Sequence, residues 1–173
     1  MEPMILQPYD QQWPSRFAAE KVRLAEALGS LAQRIEHHGS TAVPDLAAKP
    51  IIDIQVSVAS LQPLDPFIAA LSSVGYVHVA HDDDVRCPFF HRPALWPHTH
   101  HVHLVLAGGE EEERTLAFRD YLRSHRDVAE EYEHLKRQLA RGADAATFGG
   151  REAYAAGKTA FVERVTRLAL DGR

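Results

Sequence analysis

The segment that constrains the fold most is residues 51–58, in which β-branched and polar residues alternate from position 52. It reads Ile-Ile-Asp-Ile-Gln-Val-Ser-Val. β-Branched residues favour strands, and successive side chains of a strand point to opposite faces of its sheet. The alternation therefore predicts a half-buried strand with one apolar and one polar face. The polar face consists of Asp53, Gln55 and Ser57, and the apolar face of Ile52, Ile54, Val56 and Val58.

The sequence around this strand predicts a mixed α/β or α+β domain. A helix is expected from Trp13 to Leu28, where apolar residues recur at helical spacing, and another from Asp65, as its N-cap, to Gly75. Strands are expected at 33–37, 76–79, near 85–91 and at 101–106, and helices at 110–123, 127–140 and 150–170. The order α-β-β-α-β-β-β-α-α-α predicts a mixed central sheet and a helical C-terminal part, within a single domain over 1–173.

Composition narrows the class of protein. Hydrophobic residues make up 45% of the 173 residues and charged residues 25%, which excludes a disordered chain and a membrane protein. The formal charge of −5 favours a small nucleotide over extended nucleic acid as the partner. Cys87 is the single cysteine and no N-terminal run resembles a signal peptide, so a cytoplasmic location is expected. The oligomeric state is left open.

Histidines are unusually abundant, with 11 in the chain and seven of them between positions 78 and 103. His101 and His103 lie two apart on a predicted strand, so both imidazoles point to one face. If that strand lies beside the Asp53 strand, the three side chains converge as candidate metal ligands and catalytic groups. Two histidines and one carboxylate suit Zn²⁺, Mn²⁺ or Fe²⁺ better than Mg²⁺. The alternative is a polar sheet face whose histidines bind nothing.

Three neighbouring residues are expected to take no part. His98 and His100 lie in or beside a loop and are expected to be solvated, and Cys87 is expected to be an ordinary thiol. Arg86 and Arg92 flank a Phe-Phe pair that fits a core position better than a base-stacking surface.

The loop that begins with Gly39-Ser40 is a candidate phosphate-binding turn. Glycine lets a backbone approach an anion closely, and a serine hydroxyl adds a donor, although such pairs also occur in ordinary turns. Lys49 either contacts a phosphate or is solvated, and Lys158 either reaches the site or lies along apolar surface. On the preceding strand, Glu36 and His38 share one face and His37 lies on the other. One assignment buries His37 and places Glu36 in the cleft, and the sequence leaves their roles open.

Several motifs, which span nearly the whole chain, resemble the GrpB family. The most specific is the stretch from Glu36 to Ile54, which contains Gly39-Ser40-Thr41 and Ile51-Ile52-Asp53-Ile54. The other matching segments are Pro8-Tyr9-Asp10 with Trp13-Pro14, Thr99-His100-His101-Val102-His103-Leu104, Phe118-Arg119-Asp120-Tyr121-Leu122, and Lys158 with Phe161.

This resemblance implies a polymerase-β-like nucleotidyltransferase fold, in which a Gly-Ser turn holds a nucleoside triphosphate and carboxylates hold two Mg²⁺. Gly39 and Ser40 match the turn, and with Thr41 and Lys49 they are the expected nucleotide-binding residues. Asp53 matches the first carboxylate.

The chain departs from the pattern at the other two carboxylates. Gln55 stands at the second, and His101 or His103 at the third, so two Mg²⁺ would lose much of their charge compensation. We therefore expect binding of a nucleoside triphosphate and one divalent metal (Mg²⁺, Mn²⁺ or Zn²⁺), with nucleotidyl transfer to an acceptor as the expected reaction. The alternatives are a non-catalytic ligand-binding regulatory module and a metal-dependent phosphohydrolase.

Overall fold

The computed structural model describes residues 4–81 and 85–172, with six α-helices and five strands within those ranges. The helices are α1 (Trp13–Leu28), α2 (Asp65–Ser73), α3 (Glu110–Ser124), α4 (Arg126–Gly142), α5 (Phe148–Ala156) and α6 (Thr159–Asp171). The strands are β1 (Arg34–His38), β2 (Ile52–Val58), β3 (Val77–Val79), β4 (Phe89–Arg92) and β5 (His100–Leu106). The predicted mixed α/β class with a helical C-terminal part is confirmed.

The sheet brings together the two strands that carry the candidate ligands. Its strand order is β1-β2-β5-β4-β3, with β2 and β5 parallel and the other three pairs antiparallel. In the β2–β5 register Asp53 lies opposite His101, and Gln55 lies opposite His103. This mixed sheet agrees with the polymerase-β-like fold that the resemblance implies.

The main core lies on the face of the sheet covered by α1 and α2. Ile54, Val102 and Leu104 point to this face and are completely buried, as is Trp13 of α1. A second apolar cluster joins α3, α4 and α6 to the loop after β1, and consists of Val43, Leu46, Leu122, Ala129, Tyr132, Phe161 and Val165. Because α3 also packs on β5 and β1, it covers part of the second face of the sheet.

The prediction of a half-buried β2 with an open polar face is wrong for most of its length. Gln55 is 1% exposed and Ser57 is fully buried. At Ser57 the reason is α3, whose buried Glu112 accepts hydrogen bonds from Ser57 and from the backbone amide of Gly108, and pairs with Arg34. The Asp53 end of the same face stays accessible.

Three predicted boundaries also change. The helix expected at 150–170 is two helices, because the chain turns at Gly157, where a Cβ would lie 2.5 Å from Leu139 Cδ2 of α4. The strand expected near 85–91 begins only at Phe89. Asp65 lies in the first turn of α2 and does not cap it, since Leu64 is the N-cap.

None of the helices in the described ranges has both the length and the apolar character needed to cross a membrane.

Candidate metal and phosphate site

The parallel pairing of β2 and β5 places three candidate metal ligands together. One ligand atom from each of Asp53, His101 and His103 lies within 4.8 Å of the other two. The Oδ1 of Asp53 is 3.2 Å from the Nδ1 of His101. The convergence predicted from strand parity is therefore present, and these donors fit one divalent ion.

The protonation states at this cluster suit a metal. Burial would raise the pKa of Asp53, but the hydrogen bond and charge of His101, with the charges of His38 and His103, hold it well below its usual range. Burial and the nearby His38 lower the pKa of His103 to about 3, although the charge of Asp53 opposes this shift. At neutral pH the cluster therefore offers an ionised carboxylate and a neutral imidazole, the forms that bind metals.

Gly39 packs directly against this cluster. Its φ of 70° and ψ of −173° lie in a region that side chains rarely adopt, and a Cβ there would lie 2.5 Å from Asp53 Oδ2. The next residues, Ser40–Ala42, form a 3-10 turn. Within it the buried Thr41 hydroxyl donates to the Ile51 carbonyl and contacts His37 Nε2, so it ties the turn to the start of β2. Whether Gly39 and Thr41 touch a ligand stays a prediction.

Three lysines line the opposite side of the site. Lys136 of α4 is buried and donates to Ser40 Oγ at 3.0 Å and to the Ala47 carbonyl. Lys49 and Lys158 lie over the Tyr154 ring, with their Nζ atoms 4.9 Å and 4.6 Å from its centroid. Burial lowers the pKa of all three, to about 7 for Lys136 and about 8 for Lys158.

Between the sheet and the lysines lies a cavity of about 490 Å³. Its polar lining residues are Ser40, Thr41, Lys49, Asp53, His81, Cys87, His101, His103, Lys136, Glu152, Tyr154 and Lys158. One wall thus carries the candidate metal ligands and the other the ammonium groups. This arrangement can hold a polyphosphate and a divalent ion together.

Comparison with known proteins identifies the family. The family described as "GrpB protein" matches residues 3–168. The chain belongs to the GrpB family. A solved GrpB structure from Enterococcus faecalis has 32% sequence identity to the chain and a TM-score of 0.85, and the match covers 97% of this chain and 98% of that one.

Two curated GrpB-related proteins are considerably longer than the chain. The UPF0157 protein YqkA of Bacillus subtilis is 39% identical over 76% of this chain and 38% of its own length. A protein of Mycolicibacterium paratuberculosis named dephospho-CoA kinase is 33% identical over 98% of this chain and 46% of its own length. The chain thus spans less than half the length of both relatives.

Two residues that were expected to take no part lie at the candidate site. His98 is half-buried and its Nδ1 lies 3.1 Å from the Nε2 of His101, so the expectation of a solvated side chain is wrong. Cys87 lines the cavity, with its Sγ 3.8 Å from His103 Nδ1. Neither was recognised because the loop before β5 and the chain before β4 offer no periodic pattern that fixes direction.

Of the other candidate residues, some line the cavity and some lie elsewhere in the fold. Lys49 and Lys158 do line the cavity, and His37 is buried, at 6% exposure. Glu36 does not line the cavity and pairs with Arg119 of α3 at 2.9 Å. Arg92 lies on the core face, where it pairs with Glu20 of α1 at 2.9 Å.

His38 takes the place that one assignment gave to Glu36. It lies opposite Asp53 in the β1–β2 register, and its ring is 5.2 Å from that of His103. Within the described part of the chain its buried Nε2 has no hydrogen-bond partner, and neither has the buried amide of Gln55. Strand parity already placed His38 on this face.

Lys136 was not among the site residues expected from the sequence. It occupies an apolar stripe of α4 with Ala129, Tyr132 and Ala140, at spacings of three and four residues. A lysine within such a stripe is a usable signal, because lysine is almost never fully buried without a partner. Its partner, Ser40, is 96 positions away in the sequence.

Proposed function

We propose that this GrpB-family protein binds a nucleoside triphosphate together with one divalent metal ion, and that the site is nucleotidyltransferase-like. The observation that carries this proposal is the single cavity of about 490 Å³ lined by Asp53, His101 and His103 on one side and by three lysines on the other. Asp53 and both histidines would hold the metal, as the sequence predicts.

The charge balance of the cavity supports a strongly anionic ligand. The lining carries three lysines, Lys49, Lys136 and Lys158, against two carboxylates, those of Asp53 and Glu152. Burial of these ammonium groups disfavours their charge unless an anion compensates it. A triphosphate supplies that compensation, and Lys136 already holds the Ser40 hydroxyl in place at 3.0 Å. A bound metal would supply electrostatic stabilisation of the phosphate oxygens.

Space for the nucleoside part adjoins the phosphate cavity. A groove of about 230 Å³ shares the lining residues Lys49 and Ile51 with the main cavity, so the two lie side by side. Its other lining residues are mostly apolar: Met4, Ile5, Gln7, Pro50, Trp96, Pro97, His98 and Ala145. Apolar walls beside a charged cavity suit a ligand with a heteroaromatic base and a phosphate chain.

Gln55 favours a second candidate, a nucleotide-binding module that does not catalyse transfer. It stands where a second carboxylate would hold a second Mg²⁺, and its buried amide carries no charge. The Mycolicibacterium protein named dephospho-CoA kinase matches this chain over 46% of its own length. In that relative the matching segment is part of a longer protein, as is expected of a binding module.

Titration calorimetry with ATP, GTP and CTP, each with Mn²⁺ or Mg²⁺, tests the proposal. We expect one nucleotide per chain, and Lys49→Met to weaken binding about 10- to 100-fold, because a charge-assisted hydrogen bond contributes about 1.5–3 kcal/mol. Lys21→Met is the matched control, since Lys21 lies over Phe17 on α1, outside the cavity lining. Absence of binding heat for every nucleotide would refute the proposal. Incubation of labelled nucleotide with the protein and a cell extract, as the source of an acceptor, separates the two candidates. Turnover of the nucleotide indicates a transferase, and binding without turnover indicates a binding module.

Nucleotide affinity is also expected to depend on pH. Burial and the neighbouring Lys49 lower the pKa of Lys158 to about 8, while Asp53 opposes the shift. A phosphate favours the protonated amine, so affinity should be high at pH 7 and fall several-fold as the pH rises through 8 to 9.5. Lys158→Arg should reduce the fall in affinity above pH 8, because arginine stays protonated throughout, whereas Lys136, with a pKa of about 7, still titrates. An unchanged slope in this variant would contradict the role of Lys158.

A further inference from the structure

His98 forms the end of a chain of three side chains that begins at Asp53. Asp53 Oδ1 is 3.2 Å from His101 Nδ1, and His101 Nε2 is 3.1 Å from His98 Nδ1. Both ring nitrogens of His101 therefore have a partner, one on β2 and one in the loop before β5. The orientation of the His101 ring is thereby fixed at both ends.

The His98 ring is itself held firmly. It stacks on His91 of β4, with ring centroids 3.8 Å apart and planes 8° apart, and meets Trp96 edge-on at 5.2 Å. His91 Nδ1 lies 2.9 Å from the Pro93 carbonyl, and a carbonyl only accepts, so the His91 proton is on Nδ1. A ring packed in this way presents its Nδ1 in one direction.

At the 3.1 Å contact between His98 Nδ1 and His101 Nε2, one nitrogen donates and the other accepts, and the neutral form of His98 can accept. A neutral imidazole has one nitrogen that donates and one that accepts. Its Nδ1 can therefore accept a proton that His101 donates from Nε2. When a metal lies between Asp53 and His101, the Nδ1 of His101 must be deprotonated, so its proton is on Nε2.

We propose that His98 is a positioning residue, which accepts the Nε2 proton of His101 and thereby directs Nδ1 of His101 toward the metal shared with Asp53. This role rests on the proposed function, since it needs the metal centre. Partners that hold the second nitrogen of a metal-binding histidine fix its tautomer and raise its basicity, and losing one typically costs about 10- to 100-fold in metal affinity.

Titration of the unliganded protein with Mn²⁺, followed by electron paramagnetic resonance, tests this role. We expect His98→Ala to weaken Mn²⁺ binding about 10- to 100-fold. His98→Asn should recover most of the loss, because the amide oxygen can take the place of Nδ1. His100→Ala is the matched control: its Nδ1 contacts Arg92 and Thr99 at 3.1 Å and 2.8 Å, so the variant should bind Mn²⁺ within about twofold of the unchanged protein.

The outcomes separate this role from the metal centre itself. Unchanged Mn²⁺ affinity in His98→Ala overturns the role of His98 and leaves the proposed function intact. Failure of the unchanged protein to bind Mn²⁺, alone or with nucleotide, overturns the metal centre and the role of His98 with it.

Nitrogen NMR of the unchanged protein gives a second test that does not depend on the folding of a variant. With Zn²⁺ bound, we expect the His101 proton on Nε2 and the metal on Nδ1. Coordination through Nε2 would overturn the role of His98.

Discussion

Replacing Asp53 by Asn is expected to weaken Mn²⁺ binding by more than about 100-fold, because it removes the negative charge from the ligand set of Asp53, His101 and His103. The substitution keeps the size of the side chain, so the packing against Gly39 should survive. Nucleotide binding that depends on Mn²⁺ should fall in parallel. Electron paramagnetic resonance for the metal and calorimetry for the nucleotide measure the two effects.

Asp120→Asn is the control for this substitution. Asp120 lies on α3, where it pairs with Arg119 at 2.7 Å, outside the cavity lining. It should change neither affinity by more than about twofold. Full Mn²⁺ affinity in Asp53→Asn would show that the three converging side chains are not the metal centre.

Replacing Gly39 by Ala is expected to have the second largest effect, on stability and on the site together. The backbone at Gly39, with φ 70° and ψ −173°, costs a side-chain-bearing residue about 1–3 kcal/mol. The added Cβ would also lie 2.5 Å from Asp53 Oδ2, so the carboxylate must move. We expect a loss of about 2–4 kcal/mol in the free energy of unfolding, and at least tenfold weaker metal binding.

Gly29→Ala separates the two causes. Gly29 also has a positive φ, of 52°, but an added Cβ there meets nothing within 4 Å. This control should lose stability through backbone strain alone and keep its metal affinity. Denaturant unfolding and Mn²⁺ titration measure both variants, and equal metal affinity in Gly39→Ala and Gly29→Ala would contradict the proposed contact.

The sheet wall of the site was predictable from the sequence because strand parity is a local property. Alternation within 51–58 and 101–106 placed Asp53, His101 and His103 on one face, and their pairing needed only that the two strands be neighbours. The resemblance to the GrpB family added the Gly39-Ser40 turn. Each of these two inferences uses residues that lie close together in the sequence.

The lysine wall was less predictable because it depends on distant packing. Lys136 reaches Ser40 only after α4 packs on the loop that follows β1, and no local pattern encodes that contact. Lys158 enters the cavity because the chain turns at Gly157, within a segment predicted as one continuous helix. The burial of Ser57 likewise depends on α3, whose Glu112 accepts a hydrogen bond from the Ser57 hydroxyl across 55 positions of sequence.

The two walls of the cavity differ in mechanical character. Asp53, His101 and His103 project from the hydrogen-bonded ladder of β2 and β5, whose backbone positions are locked by pairing on either side. Tyr154 and Lys158 project instead from α5 and from the residue that precedes α6, outside this ladder. The positions of the three candidate ligands are therefore fixed by backbone pairing, whereas the positions of Tyr154 and Lys158 depend on how α5 and α6 pack.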